Sequence, residues 1–126
     1  YINYVNETSN NIMFGIFLNE DNRHIGNIKL GSIDTVHRYA DIGLLIGDRN
    51  SWGKGYATQA IDLVTLYAFK TLNLHKLWAG IYQGNEGSYK AFIKCGWKDA
   101  GLLKEHRFFE GKYVDEYLVE VLNNND

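Results

Sequence analysis

A chain of 126 residues with a formal net charge of −2 is sized for one domain and offers no overall field to draw in nucleic acid or an anionic membrane. Hydrophobic residues make up 45% of it and charged residues 22%, enough apolar material for a core. Its one cysteine, Cys95, excludes an internal disulfide framework or a thiolate metal cluster, and fits a reducing, cytoplasmic setting.

Residues 1–11 are polar and Asn-rich, with neither the basic nor the apolar region of a signal peptide. The chain does not begin with Met and reads as a fragment or a processed product. Residues 12–18 read as a strand, 19–22 as a turn and 24–30 as a second strand, together a hairpin in which Gly26 marks a bulge or a close approach. Residues 31–39 form a polar connection. Residues 40–46 are apolar almost throughout after Asp41, which predicts a central strand buried on both faces.

After a loop over residues 47–55, Ala57, Ala60, Ile61, Val64 and Ala68 fall at helical spacing. Leu63, Tyr67 and Phe69 widen that stripe, and Asn73 stops the helix. Residues 76–82 alternate as a strand. Asn85 is an N-cap for a short helix over residues 88–94, and Gly96 is its C-cap signal. An extended stretch follows over residues 97–109, then a turn at Glu110-Gly111-Lys112, a last strand over 113–122 and a frayed tail over 123–126. No apolar run approaches the roughly 20 residues of a membrane span. The order predicts a single α/β (α+β) domain over residues 1–126. Its mixed, mostly antiparallel central sheet is flanked by helices, one of them a crossover helix.

The strongest local signal is strand, Gly-x-Gly loop, helix. Backbone N–H groups at a helix start lack intrahelical partners, and the helix dipole makes that end partly positive. Gly53 and Gly55 carry no side chain to keep a pyrophosphate away. Alone, Gly-x-Gly is equally a structural turn. It lacks the Gly-Lys-Ser/Thr ending of a phosphate-binding P-loop and the third glycine of a dinucleotide fingerprint.

Two signatures give it context. Trp52-Gly53-Lys54-Gly55-Tyr56-Ala57-Thr58 is followed, after an intervening strand, by Asn85, Ser88, Phe92 and Gly96-Trp97. In this order they resemble the acetyl-CoA loop and the following helix of GNAT-superfamily N-acetyltransferases. The branch most resembled contains the ribosomal-protein N-terminal acetyltransferases and related sugar and polyamine enzymes. The likeness runs over residues 12–122 and includes the late Glu110–Asp115 segment. Asn50 stands where the family has Gln or Arg, and the family's usual N-terminal strand and helices are not expected before residue 12.

The resemblance implies a cofactor held between two splayed strands, residues 40–46 and 76–82. Leu44, Leu45 and Ile46 would pair with the pantetheine arm. Trp52, Gly53, Lys54, Gly55, Tyr56, Ala57 and Thr58 would hold the pyrophosphate. Asn85, Ser88 and Phe92 would lie near the thiol end and Lys90 near the phosphates or adenine. The implied reaction is acetyl transfer from acetyl-CoA to a primary amine by direct attack, without a metal. The acceptor is a protein N-terminus, an amino sugar, a polyamine or another small amine.

Many family members use a Tyr to protonate the leaving thiolate. Phe92 holds that place here, so Ser88 is the substitute acid, with Tyr89 a weaker one. Asp41 is the first candidate base, followed by His37, Glu105 and His106. The competing readings are a CoA-binding module with weak or no catalysis, and a structural α/β domain whose glycines only make a turn. His75 and Cys95 read as structural, the Phe108-Phe109 and Tyr113/Tyr117 pairs as sheet packing, and Asp115 and Glu116 as strand-surface carboxylates. Neither a nucleic acid nor a membrane is expected as a partner, whereas a homodimer would cover an exposed sheet edge.

Overall fold

A computed structural model describes residues 1–8, 10–47, 53 and 55–126. The elements in chain order are β1 (Ile2–Glu7), β2 (Ile12–Phe17), β3 (His24–Asp34), β4 (Tyr39–Ile46), α1 (Tyr56–Lys70), β5 (Lys76–Tyr82), α2 (Glu86–Lys94), β6 (Lys98–Phe109) and β7 (Lys112–Leu122). Among the described residues the strands form one seven-stranded sheet in the order β1-β2-β3-β4-β5-β7-β6. Only β4 and β5 pair in parallel; the other neighbours are antiparallel. The predicted class therefore stands.

The core lies on one face of the sheet. Ile12, Phe14, Ile28, Leu30, Ala40, Ile42, Leu77, Ala79 and Val119 are buried together with Ala60, Ile61, Val64 and Ala68 of α1 and Ala91 and Phe92 of α2. The helical stripe read from spacing is the buried stripe, except that Leu63 stays exposed. The two-sided burial expected of β4 does not hold. Alternation puts Ala40 and Ile42 under α1, but leaves Gly43 and Leu45 on the opposite, open face, with Leu45 66% exposed. Both helices pack on the first face, so a central position in the sheet covers only one side of the strand.

Three other expectations change. The polar lead-in contains β1, so a strand does precede residue 12. It is held by Tyr4, whose ring packs on Phe14 at 5.1 Å and whose hydroxyl meets that of Tyr67 at 2.7 Å. Cross-strand aromatic pairs can hold a strand whose own pattern is weak. The connection after residue 30 is shorter than expected, because β3 continues through a bulge to Asp34. The tail is also tied down. Asp126 accepts two bonds from Arg38 and one from His75 Nδ1 at 2.7 Å.

That tie secures the start of both parallel strands. The Arg38 carbonyl accepts from the amides of His75 and Lys76, and its Nε donates to the Asn73 carbonyl. Asn123 bonds the His75 and Leu74 carbonyls from the far side. Gly26 is the close approach its position predicted. A β-carbon there would drive into the Leu45 carbonyl and the Ile46 α-carbon, both rigid backbone. Gly26→Ala should therefore lower stability by about 2–3 kcal/mol, measured as a fall in the urea midpoint at unchanged slope. An unchanged midpoint would show that β4 can move aside.

Candidate active site

The parallel ladder between β4 and β5 is short. It contains Tyr39↔Lys76, Ala40↔Leu77 and Asp41↔Trp78. Beyond it, β4 stays laddered to β3 through Ile46↔Gly26, while β5 stays laddered to β7 through Tyr82↔Glu116. The limbs follow different partners and diverge, leaving an opening between residues 42–46 and 79–82. Leu44, Leu45 and Ile46 lie on the first limb. Parallel strands put their C-terminal ends together, so the helices that follow them both begin at the mouth of this opening.

The two helix starts differ. α1 is capped by Gly55 in the left-handed region at φ 81°, with Gly53 at φ 75°. That conformation costs an L-residue roughly 1–2 kcal/mol, so the backbone itself calls for glycine. Among the described residues, a β-carbon at either position would meet nothing within 4 Å. No side chain caps α1 and no acidic residue lies in its first turn. The amides of Tyr56, Ala57 and Thr58 thus lack intrahelical acceptors and face no local anion of the helix's own. α2 carries Glu86 in its first turn, which offsets its dipole. A polyanion is favoured at α1. Asn50, Trp52 and Lys54 lie outside the described residues.

Asn85 occupies the N-cap position of α2, but its side chain makes no cap bond, leaving the amide available at the mouth. Ser88 follows half-buried on the same helix and Lys90 is exposed. Phe92 is 2% exposed and belongs to the core, not to the surface of the opening. α2 ends in a Schellman motif: Gly96 N–H donates to the Ile93 carbonyl and Trp97 N–H to that of Phe92. The motif's apolar contact is Phe92 against Trp97, centroids 4.6 Å apart. Phe92 therefore has a packing role in the core.

The proposed acid–base partners separate. Asp41 sits half-buried at the apex of the opening and, by alternation with Ala40 and Ile42, points to the open face. Ser88 lies on the helix face. Burial raises the Asp41 pKa above its ordinary value, with attraction to Lys29 opposing it. Tyr89 is engaged, donating to Asp99 at 2.7 Å, a bond that raises its pKa. His37 is held in the β3–β4 turn by Asp34 at 3.0 Å, away from the opening. The Cys95 thiol is pushed up to about 12, chiefly by burial, and donates to the Thr58 carbonyl, in keeping with an inert packing role. Among the described residues no group of three or more His, Cys, Asp and Glu could hold a metal ion, and no helix is long and apolar enough to cross a membrane.

Sequence reading missed one cluster. Glu116, expected at the strand surface, is 3% exposed. Its carboxylate packs over Gly80 of β5 and accepts from Arg107 Nε at 2.5 Å. The Arg107 guanidinium stands 5.4 Å from the centre of the Tyr82 ring. A glycine inside the β5 alternation was the available signal, since it marks a place where something comes close.

The site is thus an opening between splayed parallel strands with a glycine-capped, acid-free helix start at its mouth. Residues 1–98 match the family model described as the acetyltransferase (GNAT) domain, and the chain belongs to that family. It is 35% identical over 118 residues to the probable N-acetyltransferase YjcK of Bacillus subtilis, covering 90% of this chain and 62% of that protein. It is 31% identical over 100 residues to the spermidine N(1)-acetyltransferase of Vibrio cholerae, covering 79% and 57%. The fold superimposes on the crystal structure of spermidine N-acetyltransferase from Vibrio cholerae in complex with CoA and spermine. The TM-score there is 0.83 at 28% identity, over 90% of this chain and 66% of that one. The chain spans about three fifths of the length of the curated relatives it matches.

The raised Asp41 pKa has a definite sign in stability. The folded state holds this proton more tightly than the unfolded state, so ionisation opposes folding. The penalty is absent below the ordinary value of 3.8 and grows as pH rises through the folded-state pKa. Asp41→Asn should thus gain stability relative to the parent as pH rises from about 4 to about 7, read from paired urea midpoints. A relative loss would mean that attraction to Lys29 outweighs burial.

Proposed function

We propose that this chain transfers an acetyl group from acetyl-CoA to a primary amine. The observation that carries the reading is the opening between β4 and β5, with the start of α1, free of a capping side chain and of first-turn acids, at its mouth. Acetyl-CoA suits both parts: a polyanion for the helix start and an amide-bearing arm for the residues 44–46 limb. The named activities of relatives support an amine acceptor, and small polyamines lead among the candidates. A protein N-terminus or an amino sugar fits the same chemistry.

The amine attacks the thioester carbonyl directly, so the chain's part is to position, polarise and move protons. Asn85 would orient the thiol end of the cofactor. Ser88 would return a proton to the leaving thiolate from the helix face, while Asp41 would draw one from the amine on the open face. The two groups are separate because the two proton transfers are: the amine nitrogen loses its proton as it adds to the carbonyl, and the thiolate gains one as the carbonyl re-forms and the C–S bond breaks. The core position of Phe92 favours a second reading, a CoA-binding domain with weak turnover. Self-association belongs to the same proposal: β1 and β6 are the edges of the described sheet, and β6 is exposed along its length.

Acetyl-CoA should raise the melting temperature of the chain, and thiol release should follow with a panel of primary amines. Gly55→Val, which sets a branched side chain at φ 81° before the α1 amides, should abolish the shift while circular dichroism stays native. Unchanged affinity in this variant would remove the loop from the site. A second expectation concerns the acid: Ser88→Ala should lower kcat by about 100-fold or more at unchanged KM for acetyl-CoA. Binding without turnover on any amine would favour the second reading.

A further inference from the structure

Among the described residues Glu116 is the one charged side chain found buried, and nothing in the roles assigned above uses it. A buried carboxylate is costly unless it is paired. Its partner comes from an irregular stretch of β6. The β6–β7 register jumps between Leu103↔Glu116 and Arg107↔Val114, so residues 104–106 bulge out, with Glu105 at φ 48°. Asp115 accepts from the Glu105 amide at 2.9 Å, and Glu116 holds Arg107. Neighbouring β7 carboxylates thus pin the bulge at two points, and by alternation they lie on opposite faces of the strand.

The surroundings of Glu116 are those of a cation site. Tyr82 offers its ring face, Phe109 lies 5.6 Å from that ring, and the Gly80 backbone leaves room for the carboxylate. Carboxylate and aromatic face together bind ammonium and guanidinium groups. The cation now held there is the chain's own Arg107, whose side chain remains 51% exposed on a bulged edge strand. It uses Nε for Glu116. Tyr82 and Gly80 belong to the diverging limb of β5, and Glu116 faces the same open side as Asp41.

We infer that Glu116, Tyr82 and Phe109 form a subsite for a second cationic group of the acceptor, with Arg107 as the internal cation that an incoming diamine displaces. The inference rests on the acetyl-transfer reading for its kinetics, but not for its binding. The acceptor class it names is a linear diamine or polyamine, with one neutral amine at the thioester and one ammonium at Glu116. A monoamine of equal length has nothing to place there.

The experiment compares putrescine with butylamine, and then longer diamines with their monoamine counterparts, at saturating acetyl-CoA. In the parent the diamine should have a KM about 10-fold lower. Glu116→Gln should erase that advantage, while Arg107→Gln should deepen it by about 5-fold, each with butylamine kinetics and the acetyl-CoA KM little changed. The neutral pair Arg107→Gln with Glu116→Gln should show no advantage. Equal shifts for both amines, or an advantage that survives in the neutral pair, would make the ion pair a structural clip and overturn the inference. If no amine is acetylated, the transfer reading fails and calorimetric titration of putrescine onto the CoA-saturated chain decides the subsite. Binding that Glu116→Gln removes and Arg107→Gln tightens upholds it, and absence of binding overturns it.

Discussion

Three residue pairs of parallel ladder are the constraint on which the site depends. Between Tyr39 and Asp41 on one strand and Lys76 and Trp78 on the other, β4 and β5 are a sheet; one residue later they are not. Strand neighbours stand about 4.8 Å apart when paired, too close to admit a ligand between them. Separation is therefore the prerequisite for binding, and it is imposed from outside. β3 holds β4 as far as Ile46, and β7 holds β5 as far as Tyr82. At the closed end Arg38, His75, Asn123 and Asp126 tie the strand starts together. Gly26 lets β3 run close against the β4 backbone where the limb must stay firm.

Electrostatics then assigns the two sides of the opening. On the helix face, α1 presents amides without a capping side chain or first-turn acid, while α2 begins with Glu86. The difference matters because a helix end is worth about 0.3–1 kcal/mol to a nearby charge and a first-turn carboxylate takes up much of that. Carboxylates gather on the open face instead. Asp41 stands at the apex and Glu116 over Gly80, one half-buried and one buried. This division of charge suits the proposed transfer from an anionic donor to a cationic acceptor.

Much of this was legible in the residues. The period of 3.6 in α1, the alternation of β5, the Gly53 and Gly55 pair and the Gly96 stop each reflect a local rule that the fold keeps. What could not be read was tertiary. β1 has a weak pattern of its own and exists through Tyr4 against Phe14 and Tyr67. Leu45 looks like core by composition, and its exposure follows only from where the helices lie. Phe92 matched a motif position by spacing, yet the Schellman contact with Trp97 turns it inward. Glu116 has the same composition signal as any strand-surface acid. Only the facing of Gly80 and the β6 bulge reveal that it is buried.

In the proposed complex acetyl-CoA lies along β4 with its phosphates at the start of α1. Backbone amide shifts and exchange, followed residue by residue by NMR as acetyl-CoA is added, test it most directly. The largest shifts and new protection are expected at Gly53, at residues 55–58 and along residues 42–46, with β1 and the Arg38–Asp126 end unmoved. Saturable binding that leaves those amides unchanged, or no binding at millimolar acetyl-CoA, would contradict it.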